Sequence, residues 1–527
     1  MLWIAVYIPE LSLQIAARNH SETEALVISA GAVIRPVVHS VNECAANLGV
    51  KAGVTIAAAR TLATILNVVA RNADSEALAI NNLAAWASQF SPSVSIKDAE
   101  DKAVAGQEPE GLLIEVNSTL RLYKGLGALL GKIRRGIHAL GYKVTYGIAP
   151  TPMAAWVFAK ARHYGYDVRI CQDRSAIEAR LADLPLALLD WPHDTLVKLS
   201  SMGIVRFADC LALPADGFTK RFGASCWADL HRAIGRLPDP KRYFVVPDNY
   251  YAKADFGFEV NDALALLFPL NRLLTEMEGF LRSRSAGTVE LTITLCHPRQ
   301  LQTLIKIGVA KPERHAERML LLSREQLSRL VLPDTVLAMS IAVDRLLTYQ
   351  EVSESWLPNP QHQQDGWFQL IDKLVARLGI ENIYQLQSVD DHRPEQSWRA
   401  RPIVAKISAT TAAISAAKKS MLASTPRPMF LLNTPRKLIS ENGRPRLHGV
   451  VNLISGPERI ESGWWDGKPA SRDYYVGRNR HGETMWLYQN HQPAVALDNA
   501  TSHKMNSNTN SPMNSRASDW YLHGYFA

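Results

Sequence analysis

Cysteine is scarce: five in 527 residues, at Cys44, Cys171, Cys210, Cys226 and Cys296, with no CxxC pair. An odd, scattered set excludes a disulfide framework and zinc-finger spacing, and it predicts a reducing compartment. No run approaches the roughly 18 apolar residues of a membrane helix, and the N-terminus lacks the basic start of a secretory signal. A cytoplasmic protein with no membrane partner is therefore expected. No GxxxxGKS loop is present to cradle phosphates. A carboxylate is also missing where an α/β enzyme often delivers one. The opening stretch "LWIAVYIPEL" (residues 2–11) alternates Leu2, Ile4, Val6 and Ile8 and stops at Pro9. It carries Ala5, Val6 and Tyr7, and its first acid, Glu10, lies beyond the proline.

What is present is a long soluble chain, 47% hydrophobic and 20% charged, with a net charge of +8. The length predicts several domains, about three to five. The modest basic excess suits a polyanionic partner without demanding one. Residues 1–165 mix strand-like runs ("EALVISA", "AVIRPVVHSV", "GLLIEVN", "KVTYGIA") with helical ones ("GVTIAAARTLATIL", "LGALLGKIRRGIHALG", "MAAWVFAKARHYG"). The polar run from Lys97 to Glu110 reads as a loop. Residues 184–240 are short helices punctuated by glycine, and 251–350 place two strands around the helix "HAERMLLLSREQLSRLV". Residues 351–366 read as a Pro/Gln-rich linker, and 402–423 are rich in Ala, Ser and Lys. The block 426–527, rich in Trp, Tyr and Gly, favours β-structure. The polar tract within it, 498–516, has no means of burying surface and is expected to be disordered.

The segment "GIAPTPMAAWVFAKA" (147–161) resembles the palm signature of Y-family (translesion) DNA polymerases. The stretches "DHRPEQSW" (391–398), "RPMFLL" (427–432), "GPERIESGWWDG" (456–467), "RDYY" (472–475) and "WYLHGYFA" (520–527) resemble the tail of the ImuB family, Y-family homologues of bacterial mutagenesis cassettes. The resemblance implies a multidomain α+β fold. Residues 1–30 and 75–170 would form a palm, 31–74 fingers, 171–245 a helix–hairpin–helix thumb and 250–349 an α+β little finger. Residues 350–400 would be a linker and helical segment. Residues 401–527 would be a small β-rich, partner-binding C-terminal region.

The same resemblance tests the chemistry. Nucleotidyl transfer uses two divalent cations roughly 4 Å apart. Magnesium demands oxygen ligands, so several carboxylates must neutralise the pair. Aligned to the family, Ala5 falls at the first aspartate, and Glu110 and Gly111 at the following acidic pair. Glu115, five residues from Glu110, faces the other side of a regular strand. Of the family's triphosphate-binding Tyr, Arg and Lys, the chain has Glu43, Ala46 and Trp156 in their places. A carboxylate repels a triphosphate, and an indole does not replace an ammonium. The expectation is a chain with no catalytic site, no metal and no cofactor.

DNA contacts are expected to persist. "KLSSMGIVRF" and "KRFG" read as helix–hairpin–helix turns, with Gly203 and Gly223 letting backbone N–H groups approach phosphate and Lys198, Arg206, Lys220 and Arg221 supplying charge. Arg282, Arg284 and Lys306 of the little finger are further candidates, explained almost as well as a solvated face. For the family's sliding-clamp peptide there are two candidates. "QLSRL" (326–330) fits its helix's core spacing better than a ligand's. "QEVSESWLP" (350–358) offers Gln350, Trp356 and Leu357 as anchors. His392 and His523 lack partners at metal-ligand spacing. Trp464 and Trp465 would fill a small β core or form an exposed recognition face.

The function implied by the resemblance is a non-catalytic scaffold in DNA-damage-induced (SOS) translesion synthesis. Its partners would be primer–template DNA, the sliding clamp, an error-prone C-family polymerase and the recombinase-like ImuA. The rivals are a weak but active Y-family polymerase and a DNA-binding module without a recruiting role.

Overall fold

A computed structural model describes residues 1–31, 35–63, 65–97, 109–168, 170–350, 360–402, 427–490 and 519–526. The polar tract 498–516, the Ala/Ser/Lys-rich stretch from 403, and both Trp356 and Leu357 lie outside them. The chain is mixed α+β and divides into two compact units, Met1–Arg377 and Leu378–Ala527.

A four-stranded antiparallel sheet organises the first unit, in the order Val94–Ile96, Gly111–Glu115, Trp3–Tyr7, Thr145–Ala149. The opening strand is central and buried throughout. Side chains alternate between sheet faces. Ile4, Val6 and Ile8 therefore join one core with Trp86 and Ile133, while Trp3, Ala5 and Tyr7 join another with Trp156 and the thumb helices. Gly147 explains the glycine of the signature. A Cβ there would meet the Ala155 carbonyl oxygen at 1.9 Å, so the helix Pro152–His163 lies directly on the strand. Thr151 caps that helix through the Ala154 N–H, with Pro152 in its first turn, where no amide partner is lost.

A three-stranded sheet, Val37–Val41, Leu26–Ala30 and Asn67–Ala70, carries the short helices Glu43–Asn47 and Ile56–Leu62. Leu26–Ala30 pairs within this sheet and not with the four-stranded one, so the sheet boundary falls before residue 26 rather than at 30. Helices His193–Ser201, Phe207–Leu211, Ala215–Phe222 and Ala224–Ala233 follow. Next comes a five-stranded sheet, Tyr250–Val260, Ala286–Cys296, Gln302–Glu313, Val336–Val343 and the short Leu347–Thr348, backed by helices Leu267–Ser283 and Ala316–Leu327. The Trp86 indole is wedged between Gly136 and Gly279, where added Cβ atoms would sit 2.1 and 2.0 Å from its ring. The helix Pro360–Leu378 is tied to the five-stranded domain by the Arg318–Asp372 ion pair at 2.6 Å.

In the second unit, the hairpin Tyr384–Ser388/Trp398–Pro402 stands where only a linker and helix were expected. A six-stranded antiparallel sheet runs Arg444–Arg446, Phe430–Glu441, Trp520–Tyr525, Thr484–Asn490, Ala470–Arg478, Asn452–Ser462. Its terminal sequence segment is thus an interior strand.

Candidate functional site

The strand register decides which residues meet at the centre of the first sheet. Gly111 pairs with Tyr7, and the Ile8 N–H donates to the Glu110 carbonyl at 2.7 Å. Ala5 lies opposite Leu113 and Gly147 instead. The first-strand residue beside Glu110 and Gly111 is therefore Tyr7 and not Ala5. Gly111, at φ +152°, admits no side chain without backbone movement, because a Cβ would lie 2.0 Å from the Val6 carbonyl oxygen. Glu115 accepts the Leu2 and Asn117 N–H groups and plays no part here.

Trp156 packs its edge on Tyr7 with centroids 5.4 Å apart, and its indole nitrogen is buried without a hydrogen-bond partner among the described residues. One turn further along that helix, Lys160 donates to Asp190 at 2.6 Å, and Lys97 reaches the same carboxylate at 3.3 Å. The Lys97 ammonium lies 5.5 Å from the Trp156 ring, and that of Lys160 lies 5.9 Å from the Tyr7 ring. Burial alone would raise the Asp190 carboxyl, but the two lysines hold it below its ordinary range. Burial, with Glu110 next in weight, pushes the Tyr7 phenol up, so it stays neutral. The His163 imidazole is lowered by burial and by Lys160.

This donor set does not fit a pair of divalent cations. Among the described residues, Glu110 and Asp190 are the carboxylates that act on Tyr7, and Asp190 is held by two ammonium groups. Among the described residues, no three His, Cys, Asp or Glu side chains group to hold a metal. Glu43 and Ala46, which the resemblance aligns to the triphosphate-binding Tyr and Arg, lie exposed on the helix Glu43–Asn47.

The two glycine turns lie among the short helices of residues 193–233. Gly203 (φ +77°) and Gly223 (φ +93°) take left-handed conformations natural to glycine and close two helical turns. The turns approach each other, with the Arg221 guanidinium 3.9 Å from the Met202 sulfur. Lys198 and Lys220 form no ion pair among the described residues, while Arg206 pairs with Asp183 at 3.3 Å. The three candidate cations of the little finger are each paired: Arg282 with Glu278 at 2.6 Å, Arg284 with Asp248, and Lys306 with Glu290 at 3.1 Å. Of the clamp candidates, Gln350 is exposed, while Trp356 and Leu357 lie outside the described residues. Gln326 and Leu327 of "QLSRL" end the helix Ala316–Leu327, with Leu327 buried.

In the second unit, Trp464 and Trp465 are 81% and 56% exposed, which settles the alternatives left by sequence in favour of a surface. Beside them Arg393 forms ion pairs with Asp391 (2.7 Å) and Asp466 (2.6 Å). His392 is exposed. His523 is buried, shares a 2.8 Å hydrogen bond with the Tyr474 hydroxyl and stacks on Trp486. Burial lowers its imidazole to about 4, so it serves as a neutral core residue.

Sequence reasoning missed Lys97, Lys160 and Asp190. Lys97 lay in a run taken for a loop, and Asp190 comes from the thumb side, 30 residues from Lys160. A signal existed for Tyr7: pairing the opening strand against "GLLIEVN" in antiparallel register brings it to Gly111.

Residues 12–160 match the impB/mucB/samB (IMS) family. The ImuB proteins of two strains of Caulobacter vibrioides are each 26% identical over 468 residues, covering 82% of this chain and 94% of theirs. Among solved structures, DinB from Sulfolobus solfataricus is 16% identical with a TM-score of 0.38, covering 66% of this chain and 100% of that one. A DinB-family error-prone polymerase from the same organism scores 0.37 at 16% identity over the same shares. Likeness at that level carries no argument about mechanism. The chain thus carries an impB/mucB/samB-type region at residues 12–160 and is similar to the ImuB proteins over most of its length.

Proposed function

We propose that this chain is a non-catalytic scaffold of damage-induced translesion synthesis. It grips primer–template DNA through its thumb and brings an error-prone C-family polymerase to the sliding clamp, together with the recombinase-like ImuA. One observation carries the reading: the palm centre holds a Lys97–Asp190–Lys160 ion cluster against Tyr7 and Trp156, where a polymerase needs an anionic cage. Cations already seated on the protein repel a metal pair and leave no carboxylate surplus to bind it. The thumb supports the other half, because Lys198 and Lys220 form no ion pair among the described residues and stand beside two glycine turns. Tethering would raise the local concentration of the active polymerase without new chemistry. The exposed Trp464–Trp465 pair is the surface we assign to partner docking in the C-terminal unit.

Nucleotide incorporation and DNA binding measured on one preparation test this directly. Binding without incorporation, in magnesium or manganese, is the expected result. Template-directed addition that disappears in Glu110→Ala would overturn it in favour of a weak polymerase. Damage-induced mutation unchanged by deletion of residues 401–527 would remove the recruiting role.

A further inference from the structure

A cavity of about 730 Å³ lies within the first unit, away from the palm centre. Its walls come from the three-stranded sheet, the helices Leu11–Ala17, Ala73–Ala87 and Leu126–Ala139, the strand Tyr250–Val260 and the helix Leu267–Ser283. That volume lies in the range of small-molecule sites, roughly 300–1,000 Å³. Ile28, Val69 and Leu266 give it apolar walls, and Phe258 and Phe268, both exposed, add aromatic surface.

Charge inside it is unbalanced. Arg71 is held by Glu76 at 2.7 Å, and Lys253 by Asp255 at 2.5 Å. Arg272 has only a loose contact with Glu276, at 3.9 Å. Burial pushes the Glu276 carboxyl up despite Arg272 and Arg18, which weakens it as a counter-ion. Arg18 forms no ion pair with any described residue. Its guanidinium lies 4.4 Å from the Tyr142 ring and donates only a long 3.5 Å bond to the Leu140 carbonyl. Its Nε is buried without a hydrogen-bond partner among the described residues. A buried donor in that state is costly, which leaves a cationic, hydrogen-bonding position facing an apolar chamber.

We infer that this cavity binds a small organic anion, one acidic head group on an apolar body, with the head on Arg18 and Arg272 and the body along the apolar wall. Arg18 follows the helix Leu11–Ala17, whereas Arg272 belongs to the little-finger helix, so such a ligand bridges palm and little finger. Ligand binding to the folded state raises its stability by mass action.

The test titrates the full chain with 8-anilinonaphthalene-1-sulfonate, followed by fluorescence and by thermal melting. Saturable one-to-one binding is expected, displaced by laurate but not by inorganic phosphate, with a rise in Tm. Arg18→Met is expected to weaken the probe about tenfold or more, since hydrogen bonds to charged groups contribute that much. Ala79→Trp, which sets an indole into the chamber from the helix Ala73–Ala87, is expected to block binding in a chain that still melts cooperatively. Non-saturating binding, or equal affinity in Ala79→Trp, overturns the inference. Displacement of the probe by an oligonucleotide also overturns it, because the arginines would then serve a nucleic-acid backbone.

Discussion

The centre of the four-stranded sheet and the turns of the thumb treat charge in opposite ways. At the sheet centre, Lys97 and Lys160 share Asp190 and lie over aromatic rings, so the site is satisfied by the chain itself. On the thumb, Lys198 and Lys220 stand beside glycine turns with no ion pair among the described residues. Glycine is used differently too. Gly147 is pressed against the backbone of the next helix, whereas Gly203 has nothing within 4 Å of its would-be Cβ and is required for its left-handed turn alone. A region that satisfies its own charges is architecture, and one that leaves them open is available to a partner.

That contrast can be broken in four places. Gly147→Ala drives a methyl into backbone 1.9 Å away, and no rotamer relieves it. Urea denaturation is expected to record a loss of about 3 kcal/mol or more, against about 1 kcal/mol for Gly203→Ala, where only the left-handed turn is strained. Equal losses would mean that the two glycines do the same job. Joint replacement Lys198→Ala/Lys220→Ala is expected to weaken duplex binding about tenfold and flatten the salt dependence by about 2, one phosphate contact per lysine. Unchanged binding in a filter or anisotropy assay would show the thumb cations idle. Asp190→Asn sets two ammonium groups free, but 40% of the Asp190 side chain is open to solvent, which screens them. We expect a loss of about 1 kcal/mol near neutrality. Because the native carboxyl is held below its unfolded value, that contribution is present above the ordinary carboxylate range and fades as pH falls through it. The wild type and Asp190→Asn are therefore expected to converge in acid. The smallest effect belongs to Arg282→Ala and Lys306→Ala, whose charges are already met by Glu278 and Glu290. Their duplex affinities should stay within about threefold of wild type, since exposed ion pairs contribute little.

The parts legible in the sequence were those governed by local pattern. Alternation of Ile4 and Val6 against Ala5 and Tyr7 announced a strand, and the structure sorts those two sets into separate cores. Gly203 and Gly223 marked turns because left-handed backbone needs glycine. What local pattern could not supply was register between distant strands. The register sets Tyr7 opposite Gly111, two residues along the strand from Ala5, the position aligned to the family's first aspartate. The Lys97–Asp190–Lys160 cluster joins residues with no sequence periodicity in common, and only tertiary packing brings them together. Trp464 and Trp465 allowed two readings because tryptophan suits both a core and an interface, and exposure separated them.

Placing Trp520–Tyr525 between Phe430–Glu441 and Thr484–Asn490 has a biosynthetic consequence. Until residues 520–525 are present, the flanking strands have no partner to pair with. Stop codons or protease cuts a few residues upstream would split the sheet into a two-strand and a three-strand remnant. Chains lacking residues 520–525 should then expose unpaired strand edges, which favour aggregation.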